Sequence, residues 1–112
     1  MDSTRQKKIG RLLQKEMGEI FQREVRDVVQ GTMVSVTVAR VSSDMGVAKF
    51  FLSIFPTKHK DEVFKNIKQH SPQLRFLLGK RVGKQLRVIP ELQFFIDDSL
   101  DYAERIDNLL KD

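Results

Sequence analysis

A chain of 112 residues and 13.0 kDa, 40% hydrophobic and 31% charged, is expected to form one domain over residues 1–112. It contains no apolar run near the ~20 residues that a bilayer span needs. With no cysteine there is no disulfide or thiolate metal site, and the opening MDSTRQKKIG lacks the apolar stretch of a secretory signal, so a cytoplasmic location is expected. The net charge of +5 is unevenly spread. Residues 1–15 hold five cations (Arg5, Lys7, Lys8, Arg11, Lys15) against Asp2, and residues 71–89 hold five (Arg75, Lys80, Arg81, Lys84, Arg87) against no acid. Residues 97–112 reverse the sign, with six acids facing Arg105 and Lys111. Clustered cations fit a nucleic-acid partner, because neutralising phosphates releases condensed counterions. A merely solvated basic surface is the alternative that charge alone leaves open.

Along residues 4–28 the apolar positions Ile9, Leu12, Leu13, Met17, Ile20, Phe21, Val25 and Val28 follow the 3.6-residue period, which predicts one long amphipathic helix flanked by Lys8, Arg11 and Lys15. Gly31 ends it. The segment MVSVTVARV, residues 33–41, alternates and is rich in β-branched residues, a strand expected to bury Val34, Val36 and Val38. The polar turn SSDMG leads to a second strand, VAKFFLSIF, so the two should pair as an antiparallel hairpin. After Pro56, Val63, Phe64 and Ile67 mark a helix that is interrupted at Ser71 and Pro72, taken as an N-cap followed by proline at the first helical position. The next helix turns Leu74, Leu77, Leu78, Val82 and Leu86 inward and leaves Arg75, Lys80, Arg81 and Lys84 on its other face. A third strand is expected over residues 92–96, with Arg87 as its earliest start and Pro90 marking an edge or a bulge. Asp98 and Ser99 then offer the cap of a short last helix with Ile106, Leu109 and Leu110 inward. The class is α+β: a three-stranded sheet with helices packed on one face.

The stretch LLGKRVGKQLRVIP, residues 77–90, invites a nucleotide-loop reading. That reading fails, because Gly79 to Gly83 is one residue short of the P-loop spacing, Gln85 stands where a hydroxyl residue must ligate magnesium, and no strand precedes it. Its glycines suit close helix packing or a frayed last turn. His59 and His70, eleven positions apart, match no metal-ligand spacing, so no metal or cofactor is expected. Asp97 and Asp98 form the one pair drawable as a metal-assisted nuclease, although acids beginning a helix are the commoner case. Without a nucleophile arrangement, a binding protein is expected rather than an enzyme, with no small-molecule substrate. Phe50, Phe51, Phe55, Phe94 and Phe95 sit on predicted strands, where core packing competes with exposed base-stacking as their use.

Three segments carry a specific resemblance: "I..L.QKEMGEIFQREV" in the first helix, "LLGK" at residues 77–80 and "RVIPELQFFIDDSL" at residues 87–100. With the element order they resemble the ribosome-binding factor A family of bacterial small-subunit assembly factors. The resemblance implies a type II KH-like fold, α-β-β-α-α-β plus the short C-terminal helix, with a helix–kink–helix at His70, Ser71 and Pro72 in place of a G-x-x-G loop. The family's usual Ala-x-Gly kink is absent here, its places being held by His70 and Pro72. The family's longer C-terminal tail is also missing from this sequence. The implied role is non-catalytic: association of a monomer with free 30S subunits, contact with 16S rRNA, and help in late maturation and processing of its precursor. No residue role transfers from the family. Charge alone nominates Arg75, Lys80, Arg81, Lys84 and Arg87 as phosphate contacts, flanked by Lys8, Arg11 and Lys15. A protein-interaction adaptor with solvated basic patches is the alternative.

Overall fold

The computed structural model describes residues 2–97. Helix α1, Thr4–Arg23, opens with a reciprocal capping box: the Ser3 hydroxyl accepts from the Gln6 amide, and the Gln6 side chain accepts from the Ser3 amide at 2.8 Å. The helix does not run unbroken to Val28. It ends at Arg23, and a separate turn, α2 (Arg26–Val29), follows. Val25, at φ −130°, makes the corner and is itself buried. The apolar spacing survives the break, which is why periodicity reads straight through it. The β-branched Val25, Val28 and Val29 favour a helix less than the residues before them. Gln30 and Gly31, both at positive φ, lead out towards the sheet.

Strands β1 (Met33–Val41) and β2 (Val47–Phe55) pair antiparallel, as their alternation and short turn require. The turn closes on side chains: the Ser42 hydroxyl donates to Asp44 at 2.7 Å, and the Asp44 carboxylate takes the Gly46 amide. Those two bonds, the Ser42 one first, hold the exposed Asp44 carboxyl below its ordinary range. Between Val36 and Val38 the register slips, and Thr37 is the extra residue of a β-bulge. The bulge reverses the phase of the strand. Val38, expected inward, is therefore exposed, while Ala39 packs against the core and Val41 is buried.

After β2 a short 3-10 turn (Thr57–His59) enters α3 (Lys60–Gln69), and α4 (Ser71–Val82) follows after a single non-helical residue, His70. His70, not Ser71, is the N-cap, and Ser71 and Pro72 are the first two helical residues. Both positions leave their amide unbonded within a helix, so proline fits the second as readily as the first. The two helices form the crossover that lets β3 (Glu91–Ile96) lie parallel to β2, the central strand of the order β1-β2-β3. The described helices cover one sheet face. Leu13, Met17, Ile20, Phe50, Leu52, Ile67, Leu74 and Leu78 are fully buried between the layers. The short C-terminal helix expected after Asp98 lies outside the described residues.

Candidate nucleic-acid interface

The cations of residues 75–87 part company in the fold. Arg75 donates from Nε to the Pro90 carbonyl at 3.0 Å and from its terminal nitrogen to the Ile89 carbonyl at 2.6 Å. It thereby ties the segment before β3 to α4. Arg81 does not stand on an open face. Its guanidinium meets Glu16 at 2.9 Å, Glu19 at 2.6 Å and Glu24 at 2.8 Å, clamping α4 against α1. The hydrogen bond to Glu16, then that to Glu24, raises its pKa above the ordinary arginine value. With three carboxylates on one guanidinium, Arg81 is neutralised within the molecule.

Lys80, Lys84 and Arg87 are exposed, and Lys84 and Arg87 have no ion pair among the described residues. Lys80 places its ammonium 5.0 Å from the ring centroid of Phe76. Lys8, Arg11 and Lys15 are also exposed, on the side of α1 turned from its buried residues Gly10, Leu13 and Met17. Exposed Lys80, Lys84 and Arg87 thus lie at the end of α4 and in the segment after it, while Lys8, Arg11 and Lys15 form a second exposed basic row on α1.

The glycines in this stretch have steric reasons. A Cβ on Gly79 would lie 3.3 Å from Cγ1 of Ile89, so its absence lets the segment before β3 settle against α4. A Cβ on Gly83 would come within 2.7 Å of the Gly79 carbonyl where the helix stops. Beside Gly79 runs a groove of about 580 Å³ lined by Pro72, Arg75, Phe76, Lys80 and Ile89. Phe76 is 64% exposed at its rim. Unlike the strand phenylalanines, this ring is not singled out by the sequence pattern of the strands. The signal was present: Leu74, Leu78 and Val82 define the buried side of α4, which turns position 76 outward.

The strand phenylalanines divide by face. Phe50 and Phe94 stack inside the core at 5.6 Å, whereas Phe51 and Phe95 stack at 5.3 Å on the face that the described helices leave uncovered. Phe55 is exposed at the end of β2. Asp97 follows β3 with its amide on the Leu52 carbonyl and its carboxylate taking the Thr37 hydroxyl at the bulge. Asp98 lies outside the described residues, and among those described no cluster of three or more His, Cys, Asp or Glu could hold a metal. No described helix is long and apolar enough to cross a membrane.

A helix–kink–helix on a three-stranded mixed sheet, without a G-x-x-G loop, defines a KH-like domain, and the basic end of α4 with an exposed ring marks its candidate interface. The family model for ribosome-binding factor A matches residues 5–110, and the chain belongs to that family. It is 46% identical over 110 residues to ribosome-binding factor A of Cytophaga hutchinsonii, covering 98% of this chain and 83% of that protein. The crystal structure of ribosome-binding factor A from Thermus thermophilus superposes with a TM-score of 0.68 at 19% identity, over 81% of this chain and 94% of that one. A Thermus thermophilus homology model, fitted into a cryo-EM map of a complex of the 30S subunit and this factor, superposes at 0.62 and 19% identity, over 80% and 91%. At these identities the two structures bear on the fold.

Proposed function

We propose that this chain is a non-catalytic ribosome assembly factor, a monomer that associates with free 30S subunits, contacts 16S rRNA and assists late subunit maturation and precursor processing. The observation that carries the reading is family membership across nearly the whole chain. The fitted Thermus thermophilus relative, described in a 30S complex, supports it through the shared fold. Lys80, Lys84 and Arg87 take the phosphates, with Lys8, Arg11 and Lys15 as a second row. Arg75 and Arg81 hold this surface in shape, the first through the Ile89 and Pro90 carbonyls and the second through α1.

If each of these six cations neutralises a phosphate, log affinity for 30S subunits should fall against log salt with a slope on the order of −5. Reversing Lys84 and Arg87 to Glu should reduce that slope by about two and leave the melting temperature near wild type, since neither side chain has an ion pair among the described residues. Sedimentation of the protein with 30S subunits over a salt series measures both. An unchanged slope in the double variant moves the footprint elsewhere. Partner capture that survives nuclease treatment and ignores salt favours the adaptor reading instead.

A further inference from the structure

An exposed phenylalanine alone needs no explanation, since singly scattered apolar residues are normal on surfaces. Phe76 differs in its setting. Its ring edges a groove of about 580 Å³ whose other walls are Pro72, Arg75, Gly79, Lys80 and Ile89. The groove is pre-shaped: Arg75 is fixed by two backbone carbonyls, and the bare Gly79 backbone seats Ile89. An open groove, apolar along Pro72, Phe76 and Ile89 with Arg75 and Lys80 beside it, suits a flat apolar body carrying negative charge next to it. Lys80 lines it, exposed Lys84 and Arg87 follow in the same stretch of chain, and no acid lies between positions 71 and 89. Lys80 sits over the ring in an exposed contact, which is weak and can be exchanged for a phosphate.

We propose that this groove receives one unpaired RNA base, stacked on Phe76, while Lys80 and one of Lys84 or Arg87 take the adjoining phosphates. The site rests on the RNA-binding reading above and adds a requirement to it: the bound RNA offers an unstacked nucleotide, which a continuous duplex does not. Aromatic stacking accepts any base, so the site selects for strand state and not for sequence.

The test uses the full chain and two fluorescent probes, a mixed-sequence single-stranded RNA of about a dozen nucleotides and its blunt duplex, with binding read by anisotropy across a salt series. Phe76→Leu keeps an apolar side chain and removes the ring. It should lower the ratio of single-strand to duplex affinity about tenfold without changing the salt slope, and Phe76→Trp should restore or raise that ratio. A Phe76→Leu ratio equal to wild type, in a protein that still binds RNA with a steep salt slope, overturns the base site and leaves the RNA reading standing. A wild type that binds neither probe overturns both readings. If such a protein still loses 30S association on Phe76→Leu, the groove holds a protein segment and the base site is equally excluded.

Discussion

Arg81→Met is expected to lower the stability of the domain by about 2 kcal/mol, because three carboxylates gathered on one guanidinium are left facing one another. Arg81 is 24% exposed at its side chain, Glu16 18%, Glu19 34% and Glu24 35%. The effect therefore falls below the roughly 3–5 kcal/mol typical of a fully buried pair but above that of a surface bridge. For a domain of this size the midpoint of thermal unfolding should drop by about 10 °C, read by circular dichroism. Arg81→Lys should recover only part of the loss, since a single ammonium cannot fork to three partners at once. Converting Glu16, Glu19 and Glu24 to Gln in the Arg81→Met background should recover most of it by removing the repulsion. A melting point within about 2 °C of wild type in Arg81→Met alone would show the clamp to be ornamental. RNA-binding losses in any Arg81 variant are accordingly to be read only after correction for the unfolded fraction.

The second large effect is a reversal of sign within one helix. A Cβ on Gly10 would stand 2.7 Å from the Ala39 carbonyl, a backbone atom of β1 that cannot swing aside, whereas Gly18 has nothing within 4 Å. Alanine in place of glycine gains about 1 kcal/mol of helix propensity at either position. At Gly18 that gain is the whole effect. At Gly10 the overlap with a backbone atom costs about 2–3 kcal/mol and forces α1 off the sheet, so the net is a loss of about 1–2 kcal/mol. Urea unfolding of the two variants should bracket wild type, Gly18→Ala above and Gly10→Ala below. A Gly10→Ala protein as stable as Gly18→Ala would mean that the close approach of α1 and β1 is absent in solution.

What the amino-acid order reveals is local, and so are its successes. The alternation of residues 33–41 and 47–55 matches β1 and β2, and the spacing of Leu74, Leu78 and Val82 orients α4, because each signal needs only its own segment. The bulge at Thr37 was not legible, since its cause is pairing with β2 and not composition; one inserted residue was enough to turn Val38 outward. The end of α1 at Arg23 was hidden by a period that continues across the corner into Val25 and Val28. The largest change at the candidate site concerns Arg81. Its acids lie more than fifty positions earlier, at Glu16, Glu19 and Glu24, so a count of charge within residues 71–89 treats as available a cation that the tertiary fold has already used. Arg75 likewise counts as a free cation by charge alone, while its bonds to the Ile89 and Pro90 carbonyls make it a tie to the segment before β3.

The parallel seam between β2 and β3 also sets an order of assembly. β1 and β2 are joined by a short turn and can pair as soon as both are made, whereas residues 47–52 find their other partner only at residues 91–96. That seam spans both intervening helices, and such distant pairings form slowly. Until then the β3-facing edge of β2 presents unpaired backbone groups, flanked on the core face by the apolar side chains of Ala48, Phe50 and Leu52. In a chain growing from the ribosome β3 is the last strand of the sheet to arrive, so the hazard of wrong edge-to-edge pairing is concentrated in the interval after the hairpin has formed and before residue 96 has been added.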